Sequence, residues 1–493
     1  MRILNLIMQT SNEIKQSLNP PKGSTSKINV RSKWMVFAVT GLANLGAAFA
    51  INSLNLALPI LREDFGVTQS DVSWLALVYS LIPCCTLLLF GRMADLYGYK
   101  RQFSGGFAFF AVVSMLAPLL SKNLVTLIGF RALQGLGYSM LISITQAAVY
   151  RAFGEKERGK ALGINSVFVS VGLASGPSIG GFLLRHFSWH SIFFFAAGFA
   201  VLGFIGTLLC MEDDTGKDRS VKMDYLGGLC FALFIGAFSV GLNFSDEWGF
   251  WSVKFAAAML LSAAGLVLFI LRESRTGHPL MALGLFKIRT FSFSNGASAL
   301  SYVTQQMTTY LFPFFLADVL LLQTDQAGLV MLTTPVIMMI VSPFGGSLSD
   351  RLGTKFPAVS GLLLIAAACV GIGFFNTGTA LVWVILALAI IGAGNGLSVA
   401  AINSAILGSA PKAQSGVASG MLATMRNVGQ TLGVAIGSVM LTVRQGIYTS
   451  GGFETAGAHL MAQRDALYLG AGLALLAAGL IAGLPKKTVS TVE

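Results

Sequence analysis

The chain has 493 residues, of which 54% are hydrophobic and only 11% charged, against about 25% charged in an ordinary soluble chain. A soluble fold cannot hide that much apolar surface, which excludes soluble enzymes, disordered chains, collagen and secreted disulfide scaffolds and leaves a polytopic membrane protein. The net charge of +12 would suit nucleic acid, but the lysines and arginines lie in short loops between apolar runs, so no nucleic-acid partner is expected.

Residues 1–33 are polar and basic, with Pro20, Pro21 and Gly23, and read as a cytoplasmic arm. Their short apolar piece is too small for the core of a signal peptide. A hydrocarbon layer of ~30 Å needs about 20 apolar residues in a helix, because no water is present to satisfy any other backbone. Such segments follow at 34–61, 71–90, 102–120, 123–149, 160–184 and 190–211. A charged linker at 212–223 precedes two more, at 224–243 and 251–271. A second linker over 272–289 leads to 290–317, 327–348, 357–375, 379–408, 416–443 and 465–484, and a tail at 485–493 ends the chain. The expectation is an all-α membrane protein with fourteen spans.

An even number of spans puts both termini on one side. Most of the 33 lysines and arginines then share that side. Only Arg62, Lys122, Arg185, Lys254, Arg444 and Arg464 fall in loops on the other, so both termini are expected in the cytoplasm. Arg131 and Arg426 belong to neither set, because they lie inside apolar spans. The five cysteines (Cys84, Cys85, Cys210, Cys230 and Cys369) sit in or beside apolar runs without metal-ligand spacing, and read as small apolar side chains.

Gly91-Arg-Met-Ala-Asp95-Leu-Tyr-Gly98 follows the second span and Gly346-Ser-Leu-Ser-Asp350-Arg351-Leu-Gly353 the tenth, on the same expected side. Repeated halves mark secondary transporters. Two six-helix halves, 34–211 and 290–484, with an inserted pair at 224–271, account for the spans. At this point the chain resembles the major facilitator superfamily, and within it the fourteen-helix drug:proton antiporters of the multidrug efflux type. The resemblance covers nearly everything beyond residue 33. It implies the major facilitator fold, a small-molecule substrate, exchange for protons, and a multi-pass place in the plasma membrane.

The motifs take their expected roles from that resemblance. The glycine–acid loops, with Gly91, Asp95, Gly98, Gly346, Asp350, Arg351 and Gly353, are expected to gate the cytoplasmic end. There Asp95 would pair with a basic group or the start of a neighbouring helix. Gly129-Phe-Arg131-Ala-Leu-Gln134-Gly135 looks like the family's fourth-helix motif. Inserting a lone arginine costs at least ~2.5–3.5 kcal/mol, which leaves two readings open for Arg131: a cavity or proton-coupling role with Gln134, or a clamp on carbonyls. Gly163, Gly172, Gly176, Pro177, Gly180 and Gly181 reproduce the family's fifth-helix antiporter motif, which implies a pliable helix at the interface between halves. Arg426 in the thirteenth span has three readings: partner of Asp95, cavity residue, or structural residue.

Asn55-Leu-Ala-Leu-Pro59 matches the family's first-helix ending, but Ala50 stands where the family usually carries an aspartate and Asn52 where it has threonine. None of the 21 acids lies mid-span. A neutral or net positive cavity is therefore expected, one that repels organic cations. Tyr302, Gln305 and Gln306, with Asn395, Asn403, Asn52 and Asn55, are its candidate lining. Aromatics there suit amphipathic ligands, although ordinary packing explains them equally well. The leading function is export of drugs or other amphipathic small molecules in exchange for protons; the alternatives are export of an anionic or neutral metabolite, antibiotic or lipid-like amphiphile, or facilitation without proton coupling. No catalytic set, Walker motif or cofactor site is visible, so no enzyme activity or cofactor is expected, and a monomer is the default.

Overall fold

The computed structural model describes residues 30–67, 69–154, 156–212, 223–244, 248–249, 252–276, 279–281, 283–322, 324–411, 414–452 and 455–484. Most of the expected arm and of the linker at 212–223, the tail, and the side chains of Asn55 and Pro177 lie outside the described residues.

Among the described residues there is no strand. The first six long helices are α1 (Val30–Phe65), α2 (Gln69–Tyr97), α3 (Tyr99–Leu120), α4 (Leu124–Ala152), α5 (Arg158–His186) and α6 (His190–Cys210). A pair follows, α7 (Tyr225–Asn243) and α8 (Val253–Arg275). Then come α9 (Arg289–Phe314), α10 in two pieces (Thr324–Met331 and Thr333–Leu352), α11 (Lys355–Ile372), α12 (Leu381–Ser409), α13 (Ser415–Ser450) and α14 (Thr455–Ala482). The break in α10 has a local cause: Pro335 has no N–H for the carbonyl of Met331 and its ring crowds that carbonyl. Twelve of these helices are long and apolar enough to cross a membrane. The other two, α9 and α13, have 26 and 36 residues but are richer in Ser, Thr, Gln and Arg.

The helices pack in two sets with the same pairings. In the first set α1 meets α5, α2 meets α4, and α3 meets α6; in the second, α9 meets α13, α10 meets α12, and α11 meets α14. Glycines make the closest of these contacts. On α5, Gly172, Gly176 and Gly180 lie against Ala48, Asn52 and Ser53 of α1. On α13, Gly429, Gly433 and Gly437 lie against Ala299, Val303 and Met307 of α9. Without side chains at these positions the backbones approach closely, and dispersion replaces the hydrophobic drive that lipid cannot supply. Much of the polarity of α9 and α13 is turned inward; Ser294, Ser298, Ser301, Thr304, Thr308, Ser419 and Thr424 are all buried.

The pair α7–α8 sits to one side. Asp224 caps α7 by accepting from the Gly227 N–H at 3.0 Å and binds Arg272 of α8 at 3.0 Å. Glu273 accepts from the N–H groups of Leu280 and Met281 at 3.1 and 3.0 Å, which ties the end of α8 to the chain leading into α9. Along α2, α7 sets Gly228 against Leu89, Gly236 against Cys85, and the Phe244 ring 5.1 Å from Trp74. It also reaches α13. Leu260, Leu261, Val267 and Leu268 of α8 are exposed, as expected of a surface that faces lipid. All five cysteines are unpaired.

Candidate functional site

The two sets of helices are latched together at the end that carries Asp95 and Asp350. Both acids lie one turn before a glycine with positive φ, Gly98 at 98° and Gly353 at 83°. A side chain would be strained there, and the glycine lets the next helix start at once. Asp95 accepts from the N–H groups of Gly416 and Val417, at 2.9 and 3.0 Å, at the start of α13. Asp350 accepts from Gly159 and Lys160, at 2.7 and 2.9 Å, at the start of α5. Each set therefore offers an acid to the exposed N–H groups of the other set's helix. These are among the donors a helix cannot satisfy itself, at the positive end of its dipole.

Around the Asp95 latch, the Tyr99 hydroxyl donates to Asp95 at 3.1 Å and lies 3.1 Å from the Ser415 hydroxyl. The Arg151 guanidinium sits over the Tyr99 ring, 4.5 Å from its centre. Between the expected alternatives for Asp95, the structure selects the helix start. Arg426 is not its partner: it lies ten residues beyond Gly416, about 15 Å along α13. Arg351 is exposed and takes no part in the Asp350 hydrogen bonds. Nearby, Lys33 lies 2.7 Å from exposed Glu157 and holds that carboxyl below its ordinary range.

The same end is closed by backbone contact. A Cβ on Gly346 would land on the carbonyl oxygen of Gly159, one on Gly163 on that of Ser342, and one on Gly91 on that of Gly416. The fifth-helix glycines thus divide. Gly163 faces the other set, whereas Gly172, Gly176 and Gly180 pack inside their own set against α1, a correction to their expected place between halves. Gly181 borders open space, where a Cβ would meet nothing within 4 Å.

Arg131 is enclosed, with 2% exposure. Its Nε donates to the Leu75 carbonyl at 3.3 Å, and its Nη1 donates to Gln134 at 2.5 Å. Gln134 in turn donates to Ser114 at 2.7 Å. The guanidinium stacks on Tyr79, 3.9 Å from the ring centre. The network joins α2, α3 and α4, and places Arg131 and Gln134 inside the first set. We predict that Arg131→Ala destabilises the protein by about 3 kcal/mol, since it removes charge-assisted hydrogen bonds and leaves Gln134 underpaired. Thermal unfolding in detergent measures this. Unchanged stability with lost transport would instead give Arg131 a role in the cycle.

Tyr79 also stacks on Tyr138, with centroids 5.4 Å apart. Beyond Tyr138 lies Arg426, close enough to act electrostatically on Tyr138, Tyr302 and Cys84. Arg426 is half-buried. Among the described residues it has neither a hydrogen-bond nor an ion-pair partner. Tyr302 and Asn403 meet Ser298 and Ser301 between α9 and α12, and the gap among them has no room for a water molecule. Asn395 is buried, and neither atom of its amide has a partner among the described residues. Gln305 and Gln306 are half-buried on α9, and Gln306 rests on Gly433. Asn52 donates to the Ala48 carbonyl at 3.0 Å and backs onto Gly176. Buried Asn44, which shares the polar face of α1, donates to Asn165 of α5 at 3.0 Å. That face is therefore partly spent on packing.

One contact between the sets has no counterpart in the sequence pattern. Ser419 accepts from the Ala147 N–H at 3.4 Å and joins α4 to α13; a lone serine in an apolar run carries no signal for that. The glycine ladder of α13 does have a signal, because Gly429, Gly433 and Gly437 repeat the four-residue spacing of α5.

A model of the Major Facilitator Superfamily matches residues 40–434. The riboflavin transporter RibZ of Clostridioides difficile is 31% identical over 82% of this chain and 88% of its own length. The multidrug resistance protein Stp of Mycobacterium tuberculosis is 28% identical, covering 83% and 76%. The crystal structure of the human organic anion transporter MFSD10 superposes with a TM-score of 0.65 at 16% identity, covering 94% of this chain and all of that one, which is a likeness of fold.

Proposed function

This chain belongs to the major facilitator superfamily, and on that premise we propose that it exports drugs or other amphipathic small molecules by alternating access, in exchange for protons. The observation that carries this reading is the pair of latches, Asp95 on α13 and Asp350 on α5. They form a symmetric closure that must break for the other end to close in its turn. In this reading residues 34–211 and 290–484 are the moving halves. All fourteen helices cross the plasma membrane, including α9 and α13, whose serines and threonines are largely buried among neighbouring helices. The latched end is the cytoplasmic one, because the basic loops gather there. The conformation is then outward-facing. Relatives named for multidrug resistance and for riboflavin support a cargo with a sizeable apolar or aromatic body.

Arg426 favours a second reading for the charge of that cargo. A half-buried cation with no carboxylate partner among the described residues, with Ala50 in place of the family's acid, repels organic cations and attracts anions. The test is substrate-driven proton movement in proteoliposomes with cationic, neutral and anionic amphiphiles. Proton flux with cations supports drug:proton exchange and removes the argument from Arg426. Flux confined to anions supports the second reading, and there Arg426→Ala is expected to lower anion transport about tenfold, the equivalent of ~1.4 kcal/mol. Transport without proton flux rejects the coupling.

A further inference from the structure

The structure spends the two arginines inside apolar spans differently. Arg131 is taken up by the Leu75 carbonyl, Gln134 and the Tyr79 ring. Arg426 lies about 15 Å along α13 from the latch, near the middle of a ~30 Å hydrocarbon layer. It is half-buried, and among the described residues it has neither a hydrogen-bond nor an ion-pair partner. It also stands where the two sets face each other. α4 runs towards the latched end and α13 away from it, and they touch where the Ala147 N–H donates to Ser419 at 3.4 Å. Seven residues back along α4 and seven on along α13, about 10 Å in each case, Arg426 comes level with Met140 and its near neighbour Tyr138.

In the second set, Tyr302 of α9 rests on Gly429 of α13 and Gln306 on Gly433. Those glycines lie three and seven residues beyond Arg426, on the same face of the helix. Arg426 therefore has a tyrosine of each set beside it, and it acts electrostatically on both. Tyr138 is backed by Tyr79, with the ring planes 18° apart, and Tyr79 is fixed in turn by Arg131. Such an arrangement selects by charge and by shape. A planar guanidinium matches a carboxylate or sulfonate through two parallel hydrogen bonds. An arriving anion also offsets what an unpaired cation costs in a low dielectric. Two tyrosines favour a flat aromatic ring, which stacks on them or meets them edge-on, over a saturated group of equal size.

We propose that Arg426, Tyr138 and Tyr302 form a binding site for a planar aromatic carboxylate or sulfonate, held between the two sets. The proposal deepens the anionic reading of the cargo given above and rests on it. In the latched conformation the tyrosines are nearly buried, at 8% and 9%. The ring enters between them when the latches open and the sets part at that end, and the anion leaves outward past Arg426 once they close.

The test is equilibrium binding of radiolabelled naphthoate to the full chain in phosphatidylcholine nanodiscs. The competitors are decahydronaphthoate, which keeps the charge and loses the aromatic plane, and naphthamide, which keeps the plane and loses the charge. Naphthoate is expected to bind about tenfold more tightly than either. Arg426→Gln should abolish the preference over naphthamide and keep that over decahydronaphthoate. Tyr138→Leu combined with Tyr302→Leu should do the reverse, and the paired Phe variants should keep both preferences, since the rings and not the hydroxyls are used. Failure of naphthoate to bind, equal affinity for naphthoate and either competitor, or preferences unchanged in Arg426→Gln overturns the proposal. If the leucine variant does not fold, the wild-type preferences and Arg426→Gln decide. Binding needs no transport, so the two readings fail separately. Naphthoate bound but never exported leaves the site and removes the export reading, whereas anion export without aromatic preference does the opposite.

Discussion

Asp95→Ala is expected to loosen the latched end about a hundredfold, read as faster amide exchange in the segment 415–424. The carboxylate accepts from two backbone N–H groups across the interface. Hydrogen bonds to a charged group contribute roughly 1.5–3 kcal/mol each. Water can re-satisfy the helix start once the latch opens, so the lower figure applies and the pair contributes about 3 kcal/mol. At ~1.4 kcal/mol per factor of ten, that is about two powers of ten. Asp95→Asn keeps the shape and one acceptor oxygen, and should fall between. Asp350→Ala should have the same effect on the start of α5 at Gly159 and Lys160. Unaltered exchange at 415–424 in Asp95→Ala would show that the backbone contacts close the end without the acids.

Gly346→Val is expected to reduce transport about a hundredfold with little loss of thermal stability. Overpacking within a core usually costs ~1–3 kcal/mol, because side chains can shift. Here the added Cβ meets the carbonyl of Gly159 on another backbone, and no rotamer relieves that contact. The two sets must separate, so the cost falls on the latched conformation rather than on the packing inside either set. Gly163→Val, opposed by the Ser342 carbonyl, should behave alike. Gly181→Val is the control from the same helix: with nothing within 4 Å, transport should stay within about twofold of wild type. Equal losses at Gly346 and Gly181 would show that helix flexibility, not contact, explains the glycines.

The glycines of α5 show how far a sequence pattern reaches. Their spacing is legible as a smooth helical face, yet a helix has several neighbours, and spacing does not say which one meets that face. The tertiary packing decided it: Gly163 meets α10 while Gly172, Gly176 and Gly180 meet α1. The polar face of α1 is a similar case. Asn52 reads as cavity lining but bonds to its own helix, and Asn44, on the same face, bonds to α5.

By itself the sequence determined the class of the protein. Long apolar segments have no stable alternative to helices in lipid, and a duplicated G-x-x-x-D-x-x-G loop already points to two related halves. It also showed that no acid lies mid-span and that two arginines do. It could not separate those arginines, since insertion cost depends on depth and both lie inside apolar spans. Only the tertiary structure enclosed Arg131 among Leu75, Gln134 and Tyr79 and left Arg426 without a partner among the described residues. Only the tertiary structure brought Asp95 to the start of α13, 321 residues away. A carboxylate accepts from any donor within reach, and which donor is within reach is a property of how the helices cross.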